Sequence, residues 1–174
     1  IAHRADAAVA KLKCHTLAMK LLGTREFARR ELIERLARRG HSASIAEEVA
    51  DELANAGWIN DARAAEAIVQ ATLRAKPASK RLLKATLVAK GIDDGVANRA
   101  VNARSTKGEL HEAITLARGK LKSLKSVGPV TVQRRIAGLL ERRGFDEDII
   151  PAALDRIGLT VNDGDSNQRP GDQD

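Results

Sequence analysis

Apolar residues recur along this chain in stripes of helical period, and the stripes stop and restart at three glycines. Ahead of Gly40 stand Leu32, Ile33 and Leu36; ahead of Gly91 stand Leu83 and Leu87; ahead of Gly144 stand Ile136 and Leu140. Spacings of this kind put each set on one face of a helix. Beyond the glycines new stripes open at Ile45, Val96 and Ile149. Two residues after each glycine stands a hydrogen-bond acceptor: Ser42, Asp93 or Asp146. Such side chains take free N–H groups at a helix start, so each glycine is predicted to adopt positive φ after one helix and turn the chain into the next. Thr24, Pro77 and Pro129 lie where the preceding helices are expected to begin. Proline is tolerated in a first turn because its missing N–H needs no partner there.

A further helical segment precedes each pair, at roughly 10–22, 60–75 and 108–125. In the middle one Ala65, Ile68, Val69, Thr72 and Leu73 keep the helical period. The corners recur about every 50 residues, within the range of modular arrays. The expected fold class is therefore all-α, with three tandem three-helix modules over residues 1–57, 58–104 and 105–159. The stretch NARSTKGEL (102–110) reads as a linker about which modules two and three hinge. Residues 160–174 are polar, carry no apolar stripe, and are expected to form a disordered tail.

Composition agrees with a helical reading. Of the 174 residues, 43% are hydrophobic but only 2% aromatic, and Ala, Leu, Arg, Glu and Lys are strong helix formers. The formal net charge of +7 suggests an acidic partner, of which nucleic acid is the commonest. Cys14 is the single cysteine, which excludes an intramolecular disulfide and a cysteine-based metal cluster. No stretch approaches the roughly 18 apolar residues of a transmembrane helix, and the first residues lack the apolar block of a signal peptide. No membrane partner is expected, and a cytoplasmic location is. Beginning at Ile1, the sequence reads as a fragment or a processed chain.

Charge is sorted by helix. Segments after the glycines carry acids, among them Glu47, Glu48, Asp51 and Glu52. Segments before them carry bases, and the candidate partner- and DNA-binding residues are Arg35, Arg39, Lys80, Arg81, Lys84, Lys90, Arg134, Arg135, Arg142 and Arg143. Part of this has a structural explanation. Bases in a last turn complement the helix dipole, and Glu31–Arg35 and Glu34–Arg38 have the spacing of helical ion pairs. That explanation fails in module two, where no acid lies between Ala78 and Lys90, and for Arg134 and Arg135 in module three. Like charges at close helical spacing repel unless an anion or acidic surface is bound.

Stacking on unpaired bases needs exposed aromatic rings, and only Phe27, Trp58 and Phe145 are available. Phe145 follows a corner glycine and is expected in the core, and Trp58 is expected to wedge modules one and two together. Binding to phosphates, or to a protein that itself carries DNA, fits better than base reading. The acidic second helices of the corners argue against their entering a DNA groove. His3, His15, His41 and His111 lack metal-ligand spacing, and no glycine-rich phosphate loop is present. No catalytic, metal-binding or cofactor residue is assigned, and no cofactor is expected.

The stretch AGWINDARAAEAIVQATLR (56–74) resembles the RecX family, modulators of the RecA recombinase. Gly57, Trp58, Ile59, Asn60, Asp61, Arg63 and Ala65 match its pattern, while Ala64 replaces the usual aromatic residue. Glu31, Leu32, Leu36 and Gly40 resemble the family's first repeat. Leu87, Lys90, Gly91 and Ile92 resemble its second, with Thr86 where Glu is usual, and Leu140, Gly144 and Phe145 its third. The resemblance implies an elongated, curved array that lodges in the groove of the RecA–single-stranded DNA filament. It also implies that the chain reduces the filament's ATPase, strand-exchange and coprotease activities. The lack of catalytic motifs and of an obvious exposed apolar stripe leads us to expect a non-enzymatic monomer. Two other readings stand beside it: a helical protein that binds bare nucleic acid without RecA, and a scaffold for protein partners only.

Overall fold

The computed structural model describes residues 2–124 and 126–159, with side chains from Asp6 onward; the tail expected over 160–174 lies outside the described residues. Among these there are nine helices and no strand: α1 (Ala2–Leu22), α2 (Arg29–Ala37), α3 (Ala43–Asn55), α4 (Asp61–Ala75), α5 (Lys80–Ala89), α6 (Asp94–Asn102), α7 (Thr106–Leu121), α8 (Pro129–Arg142) and α9 (Ile149–Arg156). Contacts run within successive triplets, α1–α3, α4–α6 and α7–α9. Two compact units result. One runs to Lys76 and resumes over Lys80–Ser105; the other starts at Thr106 and includes the tripeptide Pro77–Ser79.

The glycine corners form as the sequence predicts. Gly40, Gly91 and Gly144 have φ of 91°, 83° and 81°. In each, the residue after the glycine donates its N–H to the carbonyl of the leucine four residues before it: His41 to Leu36, Ile92 to Leu87, Phe145 to Leu140. Each glycine N–H closes a shorter loop, to Ala37, Val88 and Glu141 respectively. This paired bonding satisfies the carbonyls a helix end leaves open. The same closure recurs at Gly57 and Gly158, which the pattern of stripes does not single out.

Caps are less uniform. Ser42 accepts from Ile45 N–H, and Asp93 from Gly95 and Val96 N–H. At Asp146 it is the backbone carbonyl that accepts, from Ile149 and Ile150. Pro129 opens α8, but Thr24 and Pro77 lie outside helices. Thr24 instead closes the end of α1, its hydroxyl donating to Leu21. α1 begins well before residue 10 because alanine-rich sequence stays helical without an apolar stripe, and the stripe is the only signal of a start that sequence offers there. The predicted linker shrinks to 103–105. Thr106 and Gly108 are taken into the first turn of α7, and Glu109, expected in the linker, is buried there.

The first triplet packs Cys14, Ala18, Phe27, Leu32, Leu36, Val49 and Leu53 into one core, and Ile59 joins it. Burial raises the Cys14 thiol pKa. The third triplet packs Ala113, Ala117, Val132, Ile136, Leu140, Phe145 and Leu154. In the second, Ile68, Val69, Leu83, Leu87, Ile92 and Val101 are buried.

The Gly57–Arg63 stretch ties the first two triplets. Ile59 reaches into the first core, while Asn60 caps α4 by accepting from Ala62 and Arg63 N–H at 3.0 and 3.1 Å. Asp61 turns backwards, and its carboxylate accepts Arg29 N–H of α2 at 2.8 Å. Arg63 donates to Glu26, 3.1 Å away, and to the carbonyls of Gly57 and Trp58. A helix-start acceptor is worth about 1 kcal/mol, so Asp61→Ala is expected to lower urea-unfolding stability by about that amount and to speed exchange of the Arg29 amide. Unchanged Arg29 exchange would refute the tie.

Candidate functional site

Several acids that sequence alone leaves in solvent answer bases from neighbouring helices. Glu48 and Glu52 of α3 hold Lys11 of α1 and raise its pKa. Asp51 takes Arg29. The helical pairs expected at Glu31–Arg35 and Glu34–Arg38 are replaced. Arg25 takes Glu31 at 2.5 Å, and Arg30 takes Glu34 at 3.1 Å. Arg25 also lies 3.6 Å above the Phe27 ring, with Arg35 at 5.4 Å. Burial opposes ionisation of Glu31. The Arg25 hydrogen bond and the charges of Arg25, Lys90 and Arg35 outweigh it and hold its carboxyl below the ordinary value.

Lys90 comes close to α2 because the second corner packs there. A Cβ placed on Gly91 would meet Arg30 Cβ at 2.8 Å. Sequence spacing suggests that α5 carries unanswered charge, but the structure corrects this for Lys84. Its ammonium lies 2.9 Å from Asp94 of α6, an acid invisible to a search confined to one helix. Lys80 is half-buried on the same helix and Arg81 exposed; Arg39 and Lys90 are exposed at their corners.

In the second unit Arg134, Arg135 and Arg142 are exposed on α8. Arg143 is held structurally, its Nε and Nη2 both donating to the Pro77 carbonyl, the former at 3.1 Å. Arg39, Arg134, Arg135 and Arg142 take part in none of the ion pairs formed among the described residues.

Phe145 is core, as expected. Trp58 is not the expected wedge; it is 54% exposed, and the packing at that junction falls to Ile59. Among the described residues no cluster of His, Cys, Asp and Glu could hold a metal ion, and no helix is long and apolar enough to cross a membrane.

Tandem helix triplets with glycine-closed corners define an all-α helical-repeat protein. A profile described as "RecX, first three-helix domain" matches residues 14–53. The chain is 34% identical over 138 residues to "Regulatory protein RecX" of Mycobacterium avium, covering 79% of this chain and 80% of that one. The same-named protein of Amycolatopsis mediterranei is 33% identical over 137 residues, with 79% and 78% covered. The crystal structure of RecX from Lactobacillus salivarius superposes with a TM-score of 0.78 at 24% identity, covering 88% of this chain and 99% of that one. The chain belongs to the RecX family, whose curated relatives are named as regulatory proteins.

Proposed function

We propose that the chain is a non-enzymatic, monomeric, cytoplasmic regulator that inhibits the RecA recombinase. In this reading it lodges in the groove of the RecA–single-stranded DNA filament and slows ATP hydrolysis, strand exchange and coprotease activity. The observation that carries it is likeness to regulatory relatives across 79% of the chain. The exposed bases Arg39, Arg134, Arg135 and Arg142 support contact with phosphates or acidic protein surface, and several weak contacts on linked modules add up. The module boundaries at 57/58 and 104/105 belong to the same reading.

The test is ATP hydrolysis by RecA on single-stranded DNA. Inhibition by the wild-type chain is expected. Arg39→Ala, Arg134→Ala, Arg135→Ala and Arg142→Ala combined are expected to weaken it about tenfold, equivalent to roughly 1.4 kcal/mol, with helical circular dichroism retained. Lys84→Ala alone is expected to change little, since Asp94 already answers that charge. Unchanged hydrolysis and strand exchange at stoichiometric excess of wild type would sink the proposal. The second reading, binding to bare nucleic acid without RecA, expects tight binding that falls with a log–log salt slope of about −0.7 to −0.9 per neutralised phosphate.

A further inference from the structure

A cleft in the first unit has α4 as its floor, formed by Ala67, Ile68, Ala71 and Thr72. Ile68 is almost buried, and the small exposed Ala67 and Ala71 leave the apolar floor uncovered. Around it stand Arg25 and Glu26, from the segment before α2, with Arg74 and Lys90. The charges do not cancel. Arg25 is answered by Glu31 and Glu26 by Arg63. Arg74 and Lys90 enter no ion pair among the described residues, so the rim keeps two positive charges beside an aliphatic floor.

We infer that this cleft is a docking site for an acidic peptide segment that carries an aliphatic side chain next to its carboxylates. Carboxylates meet Arg74 and Lys90, where a guanidinium can bind in bidentate fashion, and the aliphatic group covers Ala67, Ile68 and Ala71, removing apolar area from water. Nucleic acid fits less well. No aromatic ring lines the cleft, so an unstacked base has no platform. A phosphate, which Arg74 and Lys90 would hold as readily as a carboxylate, brings no aliphatic group to cover the floor. The inference rests on the proposed function in one respect: the peptide would belong to the protein component of the RecA filament.

The experiment measures fluorescence anisotropy of two labelled probes at low salt, a twelve-residue Glu/Leu peptide and a dT oligonucleotide of equal charge. It uses the full chain, an Arg74→Gln/Lys90→Gln variant, and Ala71→Leu, which fills the floor and suits an exposed helical position. Both variants are expected to weaken peptide binding by about tenfold or more, and oligonucleotide binding by less than about twofold, where tenfold corresponds to roughly 1.4 kcal/mol. Absent peptide binding by wild type, peptide affinity that neither variant changes, or parallel loss of the oligonucleotide would overturn the inference. RecA ATPase is read beside these titrations. Variant-sensitive peptide binding without RecA inhibition rejects the RecA reading and keeps the cleft. RecA inhibition with variant-insensitive peptide binding rejects the cleft and keeps the RecA reading.

Discussion

Gly91→Ala is expected to destabilise the first unit by about 2–5 kcal/mol, against about 1–2 kcal/mol for Gly40→Ala, where strain alone is at work. Both glycines have positive φ, 83° and 91°, so either alanine carries the steric cost of a left-handed backbone. They differ in surroundings. Around a Cβ at Gly40 nothing lies within 4 Å, whereas at Gly91 it would meet Arg30 Cβ, Cδ and Cγ at 2.8, 2.9 and 3.0 Å. Relief requires the α5–α6 corner to back away from α2, or the Arg30 stem to leave its rotamer. Urea unfolding of the two single variants, followed by circular dichroism, measures the gap. Equal losses would show that the corner does not press on α2.

Leu140→Ala is expected to cost about 2–5 kcal/mol, the usual range for emptying a fully buried leucine site. Leu140 is 0% exposed in a core made from α7–α9. The first-triplet core is built from different residues around Leu32 and Leu36. Native-state hydrogen exchange should therefore lose protection in α7–α9 while α1–α3 keep theirs, since cooperative units open separately. Uniform loss across all helices would mean that the two cores unfold as one.

How much of this is legible in the sequence follows from what each signal depends on. The corners are readable because a positive-φ glycine after a helical stripe is a local event, set by residues within one turn. The start of α1 is not, since alanines there extend a helix without an apolar face. Charge is the least legible. Within its own helix Lys84 has no acid to answer it and Glu48 no base, yet their partners Asp94 and Lys11 come from other helices. Arg25 and Arg74 are absent from the sequence-based candidates, because only folding brings them to one cleft with Lys90. The Gly57–Arg63 stretch, whose residues match the family pattern, serves to join two helix triplets. Asp61 capping α2 across that joint cannot be inferred from spacing, although an acid beside a ready-made cap at Asn60 is the available hint.

The position of Trp58 has a practical consequence. It is the only tryptophan, and with 54% of it in water its emission is expected to be red-shifted in the folded chain and to move little when the chain denatures. Any molecule laid over that junction would shield the indole from added iodide. The chain thus carries an intrinsic optical gauge of occupancy at that spot, one nearly blind to unfolding.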